Sequence, residues 1–118
     1  MRAVEPPPAV APYQEGEASW YGPGFEGQLT ASGVPFDQDE LTAAHPRLPF
    51  GTRVRVVHMA SGREVVVEIN DRGPFTGGRI IDLSRAAAAR LGMLESGVAR
   101  VRIHVLDPEG DVQLQAIV

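Results

Sequence analysis

Between Ile69 and Ser84 the chain reads INDRGPFTGGRIIDLS, which sets Asp71 beside Arg72, places Arg79 a few residues on, and threads Gly73, Gly77 and Gly78 between two apolar segments. A carboxyl group in such a loop can donate or accept a proton if its surroundings hold it in the required state. Asp71 follows VVVEIN and precedes Arg72-Gly73-Pro74, so it falls where a strand ends and a constrained turn begins. Glycine admits backbone angles that other residues avoid and proline fixes its own, so the turn would aim the Asp71 side chain in a reproducible direction. The same string also fits a carboxylate that merely caps its own turn. Arg72 and Arg79 carry planar forks suited to a carboxylate, and Arg79 with Asp82 equally fits an internal pair.

The elements that must position these residues are short. TRVRVVHM alternates Val54 and Val56 against Arg53 and Arg55, the period of a strand with one wet face. Ser61-Gly62 suits a turn into REVVVEIN, a β-branched run that predicts a more deeply buried strand, so residues 53–70 form a hairpin. RIIDL predicts a strand. SRAAAARLGM predicts a short helix with Ser84 as N-cap, Gly92 just past its end, and Leu83, Ala87 and Leu91 on one face. VARVRIHVL alternates again, with Val98, Val101, Ile103 and Val105 as inward candidates; the spacing from 98 to 101 breaks the period, so the register is expected to start at Val101. Residues 16–51 are rich in Gly, Pro and Ser, which favours short strands and ordered loops over helix. Six or so short strands and one small helix in a chain of this size predict a small β-barrel.

At 118 residues with 43% hydrophobic content, the chain has room for one core. We divide it into a Pro-rich linker (1–15), a barrel (16–106) and a C-terminal strand or tail (107–118). The formal charge of −4 argues against a general nucleic-acid binder, which needs a basic stripe. Without cysteine there is no disulfide, thiol nucleophile or cysteine-ligated metal. His58 and His104 sit in strands with no second histidine at ligand spacing, so a metal site has no support. No apolar run is long enough to span a bilayer, and the first twelve residues lack the apolar segment of a signal peptide.

Several blocks together, GEASWYG, LTASG, LTAAHPRLPFGTRVRV, VVVEINDRGPF and GRIIDLSRAAAARLGM, resemble rare lipoprotein A-like (RlpA-like) domains over about residues 16–106. The resemblance implies a mainly β fold, a six-stranded double-psi β-barrel with one or two short helices. It implies a lytic transglycosylase that cuts the bond between N-acetylmuramic acid and N-acetylglucosamine in peptidoglycan and leaves a 1,6-anhydro end. Asp71 would be the catalytic acid. His45 in LTAAH, by position alone a structural residue before proline, would by resemblance face Asp71 and orient it. Trp20, Tyr21, Phe25 and Phe36 offer aromatic surface for sugar faces, with barrel core as the other fate of Trp20 and Phe36. Arg72 and Arg79 could hold the lactyl carboxylate of muramic acid. No metal or organic cofactor is implied.

One position departs from the pattern. Catalytic relatives commonly have an acidic residue where this chain has Val34, so the chain is expected to cleave slowly, to use a neighbour such as Asp37, Asp39 or Glu40 as a second carboxylate, or to bind glycan without cutting it, as an expansin-like wall-loosening module would. The resemblance implies a cell-envelope location, often through a lipoprotein anchor, with the Pro-rich start as the remnant of a linker; a cytosolic location would contradict it. Glycan strands are the expected partner, together with divisome or envelope proteins, and a monomer is expected.

Overall fold

The computed structural model describes residues 12–106. The Pro-rich start through residue 11 and the VQLQAIV segment lie outside the described residues.

Six strands, β1 (Gln14–Trp20), β2 (Thr42–Ala44), β3 (Arg53–His58), β4 (Glu64–Asp71), β5 (Arg79–Leu83) and β6 (Val98–Val105), close into a barrel in the order β1-β5-β2-β4-β3-β6. One helix, α1 (Arg85–Leu91), follows β5. The alternation read from the sequence becomes inside and outside: Val54 and Val56 of β3, Val65, Val67 and Ile69 of β4, and Val101, Ile103 and Val105 of β6 are buried together. Val98 is exposed, so the inward register of β6 does begin at Val101. The β3–β4 hairpin pairs Val57 with Glu64 and turns through Gly62 at φ 78°, a left-handed angle that glycine adopts without strain.

Helix α1 is capped as its sequence predicts. The Ser84 side chain accepts a hydrogen bond from the Ala87 N–H, and Gly92 closes the last turn at φ 73°. Ala87, Ala88 and Leu91 are buried, and the helix packs against β4, β1 and β5. Ser84 Oγ also donates to the Glu40 carbonyl at 2.6 Å, tying the helix start to the segment entering β2.

Two of the six strand pairs, β1 with β5 and β2 with β4, are parallel. They bring the functional residues to one place. Ala44 of β2 is in register with Asp71 of β4 on one side and with Asp82 of β5 on the other. Asp82 in turn lies opposite Ser19 of β1. At the usual strand spacing, the Cα atoms of Asp71 and Asp82 are about 10 Å apart.

Candidate active site

Asp71 is the last residue of β4, and Gly73 after it takes φ 121° ahead of a cis bond to Pro74. Its Oδ1 accepts the backbone N–H of Arg72 at 2.9 Å and that of Ala31 at 2.8 Å. Its Oδ2 accepts the Tyr21 hydroxyl at 2.6 Å. Ala31 is presented by a tight loop in which the Thr30 N–H and hydroxyl both donate to the Val34 carbonyl, at 2.9 and 2.7 Å. Burial, followed by the Asp71 hydrogen bond and the charges of Asp71 and Asp82, pushes the Tyr21 hydroxyl far above its ordinary range. Tyr21 is therefore the proton donor in its bond to Asp71. With Oδ1 held by two backbone groups, Oδ2 is the oxygen through which Asp71 can exchange a proton with a ligand.

A cavity of about 290 Å³ opens over this carboxylate, lined by Trp20, Tyr21, Phe25, Arg72, Arg79 and both aspartates, Asp71 and Asp82. Phe36 is buried at 4% exposure, its ring stacked on Tyr21 at 4.3 Å between centroids, so it props the tyrosine instead of offering a free face. The Arg72 guanidinium donates to the carbonyls of His45 and Leu48 at 3.1 and 2.8 Å and lies 4.1 Å from the centre of the Phe50 ring. Arg79 donates to Thr76 Oγ1 and to Ser19 Oγ at 3.0 and 2.7 Å.

Asp82 escaped the choice of site residues, although one signal for it was available. RIIDL is apolar at every strand position but its first and this one, and a carboxylate there needs a reason. It accepts the Ser19 hydroxyl and stands 3.6 Å from Arg79, as the Arg79–Asp82 pairing expected. The side chain still lines the Asp71 cavity. It is the second carboxylate there. Asp37, Asp39 and Glu40 are absent from the lining: Asp37 caps the Asp39 N–H at 2.9 Å, and Glu40 and Val34 line a separate groove.

His45 is fully buried, with its backbone N–H on the Asp71 carbonyl at 3.1 Å. Its ring does not reach the Asp71 carboxylate by any hydrogen bond among the described residues. Nδ1 accepts the N–H groups of Arg47 and Leu48 at 3.0 and 3.1 Å, and Nε2 lies 3.0 Å from Gln14 Oε1. Two donors at Nδ1 select the tautomer protonated at Nε2. Burial, then the charges of Arg72 and Arg47, lowers the imidazole to about 4, so it is neutral near pH 7. In this geometry His45 holds the turn that carries Arg47 and Leu48, and through Leu48 it braces Arg72.

A family described as lytic transglycolase matches residues 13–103, nearly the whole barrel. This chain belongs to that family. Similar members include the "probable endolytic peptidoglycan transglycosylase RlpA" of Synechocystis, 59% identical over 77% of this chain and 28% of that protein. The "endolytic peptidoglycan transglycosylase RlpA" of Campylobacter jejuni is 49% identical over 83% of this chain and 36% of that protein. The lytic transglycolase domain described here thus spans about a third of these relatives. Among solved structures, a Clavibacter michiganensis expansin shares the barrel with a TM-score of 0.63 at 21% identity, over 80% of this chain and 50% of that one. A Streptomyces papain inhibitor gives a TM-score of 0.60 at 26% identity, over 80% of this chain and 98% of that one. The fold of the lytic transglycolase domain is the six-stranded double-psi β-barrel with one short helix.

Proposed function

We propose that this chain cleaves peptidoglycan glycan strands as a lytic transglycosylase, with Asp71 as the proton carrier. The observation that carries the reading is the Asp71 carboxylate itself, held at Oδ1 by two backbone N–H groups and at Oδ2 by the Tyr21 hydroxyl, in the lining of a cavity shared with Asp82, Arg72 and Arg79. Protonated at Oδ2, Asp71 delivers its proton to the glycosidic oxygen as the bond from the muramic anomeric carbon breaks. The 6-hydroxyl of the same sugar then attacks that carbon and returns its proton to Oδ2, so the acid is regenerated and water is not consumed. Asp82, the second carboxylate of the cavity, faces the positive charge that develops at the anomeric carbon. Tyr21 positions Oδ2, and the arginine side of the cavity suits the lactyl carboxylate.

The names of the relatives support the substrate class, and the reading implies a cell-envelope location. An envelope anchor and contacts with other wall proteins belong to the same proposal. Incubating the chain with purified sacculi and measuring released muropeptides tests it: wild type should solubilise wall material and Asp71→Asn should not. Wall binding without release by the wild type would point to the non-catalytic alternative.

A further inference from the structure

At the Val34 end of the Thr30–Val34 loop lies a groove of about 430 Å³, lined by Val34, Pro35, Glu40, Thr42, Glu68 and Asn70. Strand alternation explains it. Val65, Val67 and Ile69 of β4 point to the core, so Glu68 and Asn70 turn to the outer flank, where Thr42 of β2 is in register with Glu68. Thr42 and Asn70 are only 7% and 9% exposed, and both Thr42 Oγ1 and Asn70 Oδ1 lack a hydrogen-bond partner among the described residues. Buried polar atoms are seldom left so, and those that line a cavity of ligand size point to an occupant.

We propose that this groove is a subsite for a neutral amino sugar of the glycan, adjoining the cleavage cavity; it rests on the glycan reading above. The chemistry favours a sugar. Glu40 and Glu68 can accept paired hydroxyls, Thr42 and Asn70 offer a hydroxyl and an amide, and Val34, Pro35 and Leu41 supply apolar surface for a ring face. Charge selects which sugar. Among the described residues no basic side chain lines the groove, whereas Arg72 and Arg79 offset Asp71 and Asp82 in the neighbouring cavity. The two glutamates, with no basic side chain to offset them, repel a ring bearing a carboxylate, leaving an N-acetylglucosamine-type ring for the groove. The Thr30–Val34 loop touches both sites: the Ala31 N–H holds Asp71 and Val34 lines the groove. Valine at this position thereby leaves the subsite a wall of carbon.

Titration of the isotope-labelled chain with chitotetraose, a neutral N-acetylglucosamine oligomer, tests the assignment by NMR. The Asn70 side-chain amide and the backbone amides of Thr42 and Glu68 should shift saturably, in wild type and in Asp71→Asn alike. Thr42→Val, which keeps the shape, and Glu68→Ala should each weaken binding at least fivefold, with folding verified from the unperturbed spectrum. Tetragalacturonate, with a carboxylate on every ring, should bind there at least fivefold more weakly. Shifts confined to Tyr21, Phe25 and Asp71, or equal binding of the anionic oligomer, would overturn the proposal. Groove binding without wall cleavage would sink the enzymatic reading and spare the subsite; cleavage with a silent groove would do the reverse.

Discussion

At Asp71 the division of labour between the two carboxylate oxygens makes a strong demand on mutagenesis. Asp71→Asn keeps the size of the side chain but removes the proton carrier, and turnover should fall by about 100-fold or more, with circular dichroism unchanged. Retained turnover in that variant would remove Asp71 from the chemistry. Tyr21→Phe removes the hydroxyl donated to Oδ2, and kcat/KM should fall about 10- to 100-fold, the size of one hydrogen bond to a charged group; an unchanged value would make Tyr21 a packing residue. Asp71 was legible in the sequence because Gly73 and Pro74 punctuate the chain beside it. The partners of His45 were not, because Gln14 lies 31 residues away and no local pattern reports which ring nitrogen accepts. Asp82 was read as a partner for Arg79, and the register through Ala44 brings the same residue to the Asp71 cavity.

Strands and the helix were more legible than the site, since each obeys a local rule. Alternating valines marked β3 and the inward part of β6, and Ser84 with Gly92 marked both ends of α1. The hairpin-like loop at Thr30–Val34 left no such mark: Leu29 and Pro35 form an isolated bridge, held by a threonine hydroxyl and not by a period. Ser84 serves both the helix cap and the link to Glu40, so Ser84→Ala should cost about 1–2 kcal/mol in urea unfolding, at the upper end for a lost cap; an unchanged midpoint would contradict the dual role. Gly16 marks the close approach of β1 to β5. A β-carbon there would lie 2.6 Å from Ile80 Cγ2, so Gly16→Ala should destabilise the barrel by about 1–3 kcal/mol as an overpacking change, read by the same unfolding experiment.

For the molecule as a whole, the buried neutral His45 links stability to acidity. Its folded value of about 4 lies below the ordinary 6.5, so between these pH values the unfolded chain binds more protons. The stabilising contribution is complete above 6.5 and is lost as pH falls through about 4. His104 is lowered too, chiefly by burial, and adds in the same direction. Denaturant midpoints should therefore drop from pH 7 to pH 4.5, and His45→Gln should flatten much of that slope; an equally steep slope in the variant would place the loss elsewhere. The closed barrel brings the ends of β1, β5, β2 and β4 together, and no single stretch of sequence states that convergence, because it arises from parallel pairings between distant segments. The cleavage chemistry built on it is most directly tested by mass spectrometry of the products from peptide-stripped glycan strands digested in ¹⁸O-labelled water. The 6-hydroxyl mechanism requires 1,6-anhydro ends that carry no label and vanish with Asp71→Asn, whereas labelled reducing ends would mean that water is the nucleophile and would contradict it.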